Sequence, residues 1–150
     1  VVQQIDRGQR GAVVDLVLGG GVDRQRSRGD RSRTGRAAEG VIAAGKHQAA
    51  DTAWNFVRAA RARGHEIVGI FLFADGVGNA QRFINPPGER NIGQRFDELA
   101  AQGVPIVACT ACAKFRGLKP DIKSEHVQLS GLGALADYVR KADRFVTFGD

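Results

Sequence analysis

Val104-Pro105-Ile106-Val107-Ala108-Cys109-Thr110-Ala111-Cys112-Ala113-Lys114-Phe115-Arg116-Gly117 is the stretch whose reading decides the fold. Val104 to Ala108 is an apolar run of strand length, the pattern of a strand buried on both faces. It ends on a cysteine and turns straight into a short, basic helix or turn over Cys109 to Phe115. A thiol at a helix start meets the positive end of the helix dipole. Lys114 and Arg116 add nearby cations, and all three effects favour thiolate over thiol.

Upstream, the periods alternate. Ala50, Ala53, Trp54, Val57 and Ala60 recur at helical spacing, and Gly64 stops that helix. Glu66 to Phe73 is a second apolar strand. Asp75-Gly76 opens a long loop through Asn85-Pro86-Pro87-Gly88. Ile92, Phe96, Leu99 and Ala100 mark another helix, stopped by Gly103. Downstream, Pro120 to Glu125 reads as polar loop. Ser130 is the expected N-cap of a helix carrying Leu132, Leu135, Ala136 and Val139, and Arg144 to Phe148 is the last strand. Alternating helices and continuously apolar strands predict an α/β fold, a parallel sheet with helices on both faces. Chemistry in such sheets sits beyond the carboxyl ends of the strands, where Cys109 and Asp75 both fall.

The first 40 residues differ in character. Gly19 to Arg36 is rich in Gly, Arg, Ser and Asp without apolar periodicity, so it is expected to be disordered. Ala12 to Leu18 is strand-like, and reads equally as a true strand or as sequence placed upstream by a wrong start. The chain is therefore divided into residues 1–40, a disordered or miscalled N-terminal extension, and an α/β domain over residues 41–150.

Bulk properties narrow the function classes. The 150 residues are 43% hydrophobic and carry a net charge of +6, with no methionine. No apolar run reaches membrane-spanning length and no signal peptide is read, so a cytoplasmic protein without a membrane partner is expected. The positive charge is spread thinly, +3 on residues 1–40 and +3 on the rest. It is not focused on one face with interleaved aromatics, so no direct nucleic-acid partner is expected.

The chain has two cysteines. Cys109 reads either as a small buried hydrophobe or as a nucleophile. With Cys112 it forms a Cys-x-x-Cys, a spacing that serves redox dithiols, where one thiolate attacks and the other resolves. Two cysteines without a histidine cluster are too few ligands for structural zinc, so no metal is expected. His47, His65 and His126 are scattered and read as surface or capping residues; His47 alone stands near a strand end. Asp75 reads as a turn residue. No Gly-x-Ser-x-Gly and no phosphate loop occur, so no organic cofactor is expected.

Taken together, several segments resemble the DsrE/TusD sulfur-relay family. They are His47-Gln48-Ala49-Ala50-Asp51, Gly64-His65-Glu66-Ile67, and Phe71-Leu72-Phe73 followed by Asp75-Gly76-Val77-Gly78-Asn79-Ala80. With them go Cys109 with Arg116-Gly117, Ser130-Gly131-Leu132-Gly133, Asp143-Arg144 and Phe148-Gly149-Asp150. The resemblance covers residues 41–150. It implies a flavodoxin-like domain, acting as one subunit of a heterohexamer with DsrF/TusC-like and DsrH/TusB-like chains. It implies a sulfurtransferase with Cys109 as the active cysteine, taking sulfane sulfur from a TusA-like donor as a persulfide. The sulfur would pass to a DsrC/TusE-like acceptor, in transfer-RNA 2-thiouridine synthesis or in sulfur oxidation. Two features depart from the family. Its central strand falls on Arg36 to Ala44, where Glu39 and Gly40 make a poor strand. Cys112 stands where the family carries a small residue, as a resolving or accessory group beside Lys114 and Arg116. Two other readings stay open: a thiol-disulfide oxidoreductase using Cys109 and Cys112, and a non-catalytic structural subunit.

Overall fold

The computed structural model describes residues 2–6, 13–16, 38–43 and 48–149. Strands β1 (Val2–Asp6), β2 (Val13–Leu16) and β3 (Ala38–Ala43) precede helix α1 (Gln48–Ala62). Then come β4 (Glu66–Leu72), a 3₁₀ segment (Ala74–Ala80), α2 (Ile92–Ala101), β5 (Ile106–Cys109) and α3 (Thr110–Phe115). The chain closes with β6 (Val127–Ser130), α4 (Leu132–Lys141) and β7 (Arg144–Phe148). Gly19 to Arg36 and His47 lie outside the described residues.

Seven strands form one sheet in the order β2-β1-β7-β3-β4-β5-β6. The five from β7 to β6 are parallel, while β1 and β2 add antiparallel beyond β7. The connections from β3 through β6 step one way across the sheet, and the last returns from β6 to β7. Right-handed crossovers then place α1 to α3 on one face and α4 on the other. In keeping with this, α1 touches α2, whereas α4 packs on β3 and β4. The fold is α/β with helices on both faces of a parallel sheet, as the alternation predicts.

The core lies between the sheet and α1 and α2. Ile70, Phe71 and Leu72 of β4 and Val107 and Ala108 of β5 are buried, as are Ala53 and Val57 of α1 and Phe96 and Leu99 of α2. Each large side chain buried this way contributes roughly 1.5–3 kcal/mol of transfer free energy. The predicted helices stop where expected: Gly64 and Gly103 take the left-handed conformation, with φ of +81° and +87°. Trp54 clasps α1 to α2, with the Arg58 and Arg95 guanidinium carbons 4.5 and 4.3 Å from its ring centre. Arg95 also pairs with Asp51.

The strand that read poorly is the one between β7 and β4. Gly40 is required there: a Cβ on it would lie 2.4 Å from Cδ2 of Phe145 and 3.3 Å from Cβ of Ala142. Glu39 is buried at the start of β3, yet its Oε1 lies 3.7 Å from Arg144 Nη1 and 3.9 Å from His65 Nδ1. Both residues that weaken the pattern locally are therefore matched by neighbours distant in sequence.

Three local expectations need correction, and one helix cap is not anticipated. The stretch after Asp75 is not all loop, since Ala74–Ala80 winds as a 3₁₀ segment. A strand, β6, precedes α4, and Ser130 ends it, pairing with Cys109; the cap of α4 is Gly131. Its inward side is Ala134, Leu135 and Tyr138, while Leu132 is 59% exposed and Ala136 is exposed too. And α2 begins with a cap that the apolar pattern does not signal, Asn91, whose side chain accepts from Gln94 N at 3.0 Å and donates to Ile84 O at 2.5 Å.

Candidate functional site

Cys109 is the last residue of β5 and the N-cap of α3. Its backbone is extended (φ −62°, ψ 117°), as a capping residue requires. Its sulfur takes the place that a serine or aspartate oxygen has in ordinary caps. The backbone N–H of Cys112 donates to Sγ of Cys109 at 3.5 Å. The helix is short for a local reason. Gly117 takes φ +67°; its N–H donates to Lys114 O at 3.3 Å and that of Leu118 to Ala113 O at 2.9 Å. This double closure ends the helix and drops Leu118 into the core, where it is 3% exposed.

The two thiols differ in surroundings. Cys109 is 3% exposed, and Cys112 is half-buried. Burial pushes the Cys112 thiol up from its ordinary 9.0. A hydrogen bond with the Cys109 side chain adds to this, and the Ala74 backbone N–H and the Arg116 charge oppose it. Cys112 thus holds its proton at neutral pH.

Ala74 and Asp75 bring the end of β4 to this dithiol. Ala74 has a left-handed backbone, φ +48°. For an alanine that conformation costs roughly 1–2 kcal/mol, a strain of the sort found at working sites. Asp75 receives the Nε–H of Arg116 on Oδ1 at 2.6 Å. The site therefore joins Cys109, Cys112 and Arg116 from one segment to Ala74 and Asp75 from another, at the carboxyl ends of neighbouring strands. Sequence reasoning put Asp75 at a strand end, but as a turn residue. Ala74 carries no signal at all, because its role rests on its backbone.

The remaining candidates scatter. Lys114 is exposed on the last turn of α3. Arg82, in the loop, lies with its guanidinium carbon 4.7 Å from the Phe83 ring centre. His65 sits near Glu39, away from the dithiol, and His126 is exposed, its backbone N–H donating to Ser124 Oγ. Phe115, beside the site, is 89% exposed, and Phe73 is 37% exposed. Among the described residues no three His, Cys, Asp or Glu side chains gather as a metal would need. No described helix is long and apolar enough to cross a membrane. A concavity of about 910 Å³ is lined by Gln48, Thr52, Asn79, Gln81 and the Asp51–Arg90 pair, and neither cysteine borders it.

Comparison with known proteins places this arrangement in context. The chain is 38% identical over 118 residues to a protein of Allochromatium vinosum whose name assigns it, provisionally, to the sulfurtransferases as DsrE. That alignment covers 70% of this chain and 91% of the relative. It is 33% identical over 114 residues to the sulfurtransferase TusD of Yersinia pestis, covering 67% of this chain and 87% of that one. Among solved structures, the YchN protein of E. coli matches with a TM-score of 0.66 at 25% identity, over 75% of this chain and 99% of that one. A Methanobacterium thermoautotrophicum protein of unknown function shares the fold, with a TM-score of 0.57 at 20% identity, over 75% and 97%. The model of the DsrE/DsrF-like family matches residues 41–148, and the chain belongs to that family.

Proposed function

We propose that this chain is a sulfurtransferase subunit that relays sulfane sulfur as a persulfide on Cys109, with residues 41–150 carrying the activity. The observation that carries this reading is the seat of Cys109. It ends a strand of the parallel sheet, caps a helix, and faces the Cys112 N–H at 3.5 Å. A sulfur anion placed there meets a backbone donor before any side chain moves. The names of the Allochromatium and Yersinia relatives support the transferase class.

In this mechanism the Cys109 thiolate attacks the outer sulfur of a donor's persulfide. The donor leaves as a thiolate and Cys109 keeps the sulfur. An acceptor thiolate then attacks that sulfur and frees Cys109. The protein's part is to hold the thiolate, stabilise the anion and dock the partners; no metal or organic cofactor takes part. Lys114 and Arg116 supply positive charge beside the site, and Phe115 offers an exposed apolar contact. Because Cys109 is 3% exposed, the α3 region must open before sulfur can move. The partners of this reading are a TusA-like donor, a DsrC/TusE-like acceptor, and DsrF/TusC-like and DsrH/TusB-like subunits in a heterohexamer, in the cytoplasm. The acceptor sets the pathway, transfer-RNA 2-thiouridine synthesis or oxidation of stored sulfur.

Intact mass after incubation with a persulfidated TusA-like carrier tests it. A gain of about 32 mass units per sulfur atom in the wild type, absent in Cys109→Ser, is the expected result. A loss of about 2 units in the wild type, with no sulfur gained by Cys112→Ser, would replace it with the thiol-disulfide oxidoreductase. No change in mass would leave a structural subunit.

A further inference from the structure

Cys112 is not needed by the relay, which uses one thiol and its partners' thiols. Its placement nonetheless commits it to Cys109. The two residues flank the first turn of α3, and the Cys112 N–H already points at Cys109 Sγ at 3.5 Å. Side chains three apart on a helical turn have Cβ atoms about 5–6 Å apart. A disulfide needs about 4 Å between them. The first turn must therefore close by about 1–2 Å. The chain holds only these two cysteines, so no other thiol of the chain competes.

Resting on the persulfide reading above, we propose that Cys112 is a discharge thiol for sulfur that no acceptor collects. The Cys112 thiolate attacks Sγ of Cys109, the inner sulfur of the persulfide. The Sγ–Sγ bond forms, the bond from Cys109 Sγ to the outer sulfur breaks, and the outer sulfur, which carries the persulfide's proton, leaves as hydrosulfide with the bonding electron pair. The sulfane sulfur is reduced to sulfide by two electrons, and the two cysteines become a disulfide. A dithiol or glutathione-class reductant then returns both thiols. Hydrosulfide is a better leaving group than a cysteine thiolate, which favours attack at the inner sulfur.

Two features keep this step slower than the relay. Cys112 holds its proton at neutral pH, so its nucleophilic form is scarce. The turn must also tighten before the sulfurs meet in line. The groups facing Cys112 are Cys109, the Ala74 N–H and Arg116, the last shared with Asp75. The pair thus works as a timer: a docked acceptor takes the sulfur first, and an idle persulfide is lost as sulfide.

The test loads the full chain with sulfur from inorganic polysulfide, removes the excess, and follows intact mass and free sulfide. In the wild type the added sulfur should decay, with one sulfide released per disulfide formed and the Cys109–Cys112 peptide pair found by mapping. In Cys112→Ser the persulfide on Cys109 should last at least about tenfold longer, since only bulk reagents remain to attack it. Cys112→Ala guards against an effect of the serine itself, and the wild-type stoichiometry needs no variant. Equal lifetimes in wild type and Cys112→Ser, or sulfide without the internal disulfide, would overturn the discharge role and leave the relay intact. Persulfide found on Cys112 would instead mean attack at the outer sulfur, and would also overturn it. No sulfur on Cys109 in any variant would remove both readings.

Discussion

The guanidinium of Arg116 donates its Nε–H to Oδ1 of Asp75 across 2.6 Å, joining the end of α3 to the segment that follows β4. Both side chains are partly exposed, at 34% and 56%. Solvent screening therefore limits the pair to about 0–1 kcal/mol of stability. Its larger consequence is electrostatic. Among the described residues, Arg116 is the cation that lowers the Cys112 thiol against burial and the Cys109 hydrogen bond, and its charge is shared with Asp75.

Cys112 should therefore alkylate slowly at neutral pH. Its rate with iodoacetamide, mapped by peptide mass, should climb about tenfold per pH unit as thiolate forms and should not level off before pH 9.0, the ordinary value above which the thiol is pushed. Asp75→Asn leaves the Arg116 charge uncompensated, so the profile should move to lower pH. Arg116→Gln removes the cation and should move it to higher pH. Neither change should cost more than about 1 kcal/mol in denaturant unfolding. A profile unmoved by either substitution would mean that Arg116 does not act on this thiol.

A second prediction concerns the centre of the sheet. The Phe145 ring fills the space a side chain at Gly40 would need, and Phe145 is itself 4% exposed. Gly40→Ala should therefore overpack the contact and cost about 1–3 kcal/mol. Phe145→Ala also destabilises, by leaving a cavity. The double variant should be less destabilised than the sum of the two, because the added methyl enters the emptied space. Urea unfolding of the four proteins gives the coupling; simple additivity would refute the contact.

Gly40 also marks where the sequence stops being legible. Strands β4, β5 and β7 stand out because they are runs of Ile, Val, Leu and Phe, buried along most of their length. Strand β3 lies between two of them, yet its Glu39 and Gly40 break the run. Both make sense only once Arg144, His65 and Phe145 are beside them. Strand β6 is a four-residue edge with only Val127 fully buried, too short and too polar to be noticed. The site divides in the same way. Cys109, Cys112 and Arg116 are neighbours in sequence, so a short motif reveals them. Asp75 reaches Arg116 from 41 residues away, through two adjacent parallel strands ending at one level. Burial of Cys109 is one of the two readings its sequence leaves open, and only the packed strand end, where it is 3% exposed, decides it.

The other face of the sheet supplies the last prediction. Tyr138 of α4 lies against Gly69 of β4, where a Cβ would be 2.3 Å from Cζ of the ring. Burial raises the phenol above its ordinary 10.0, because the phenolate would lose hydration there. The folded state then binds the phenolic proton more tightly than the unfolded chain. Stability from this group is complete below pH 10.0 and is lost as pH rises through the raised value. Tyr138→Phe keeps the ring over Gly69 and removes the titrating group, so its alkaline fall in stability should be shallower than the wild type's. Denaturant midpoints at pH 8 and across the alkaline range, followed for both proteins, measure the difference. Parallel curves would show that the Tyr138 hydroxyl stays hydrated in the folded protein and that α4 sits more loosely on β4 than this contact requires.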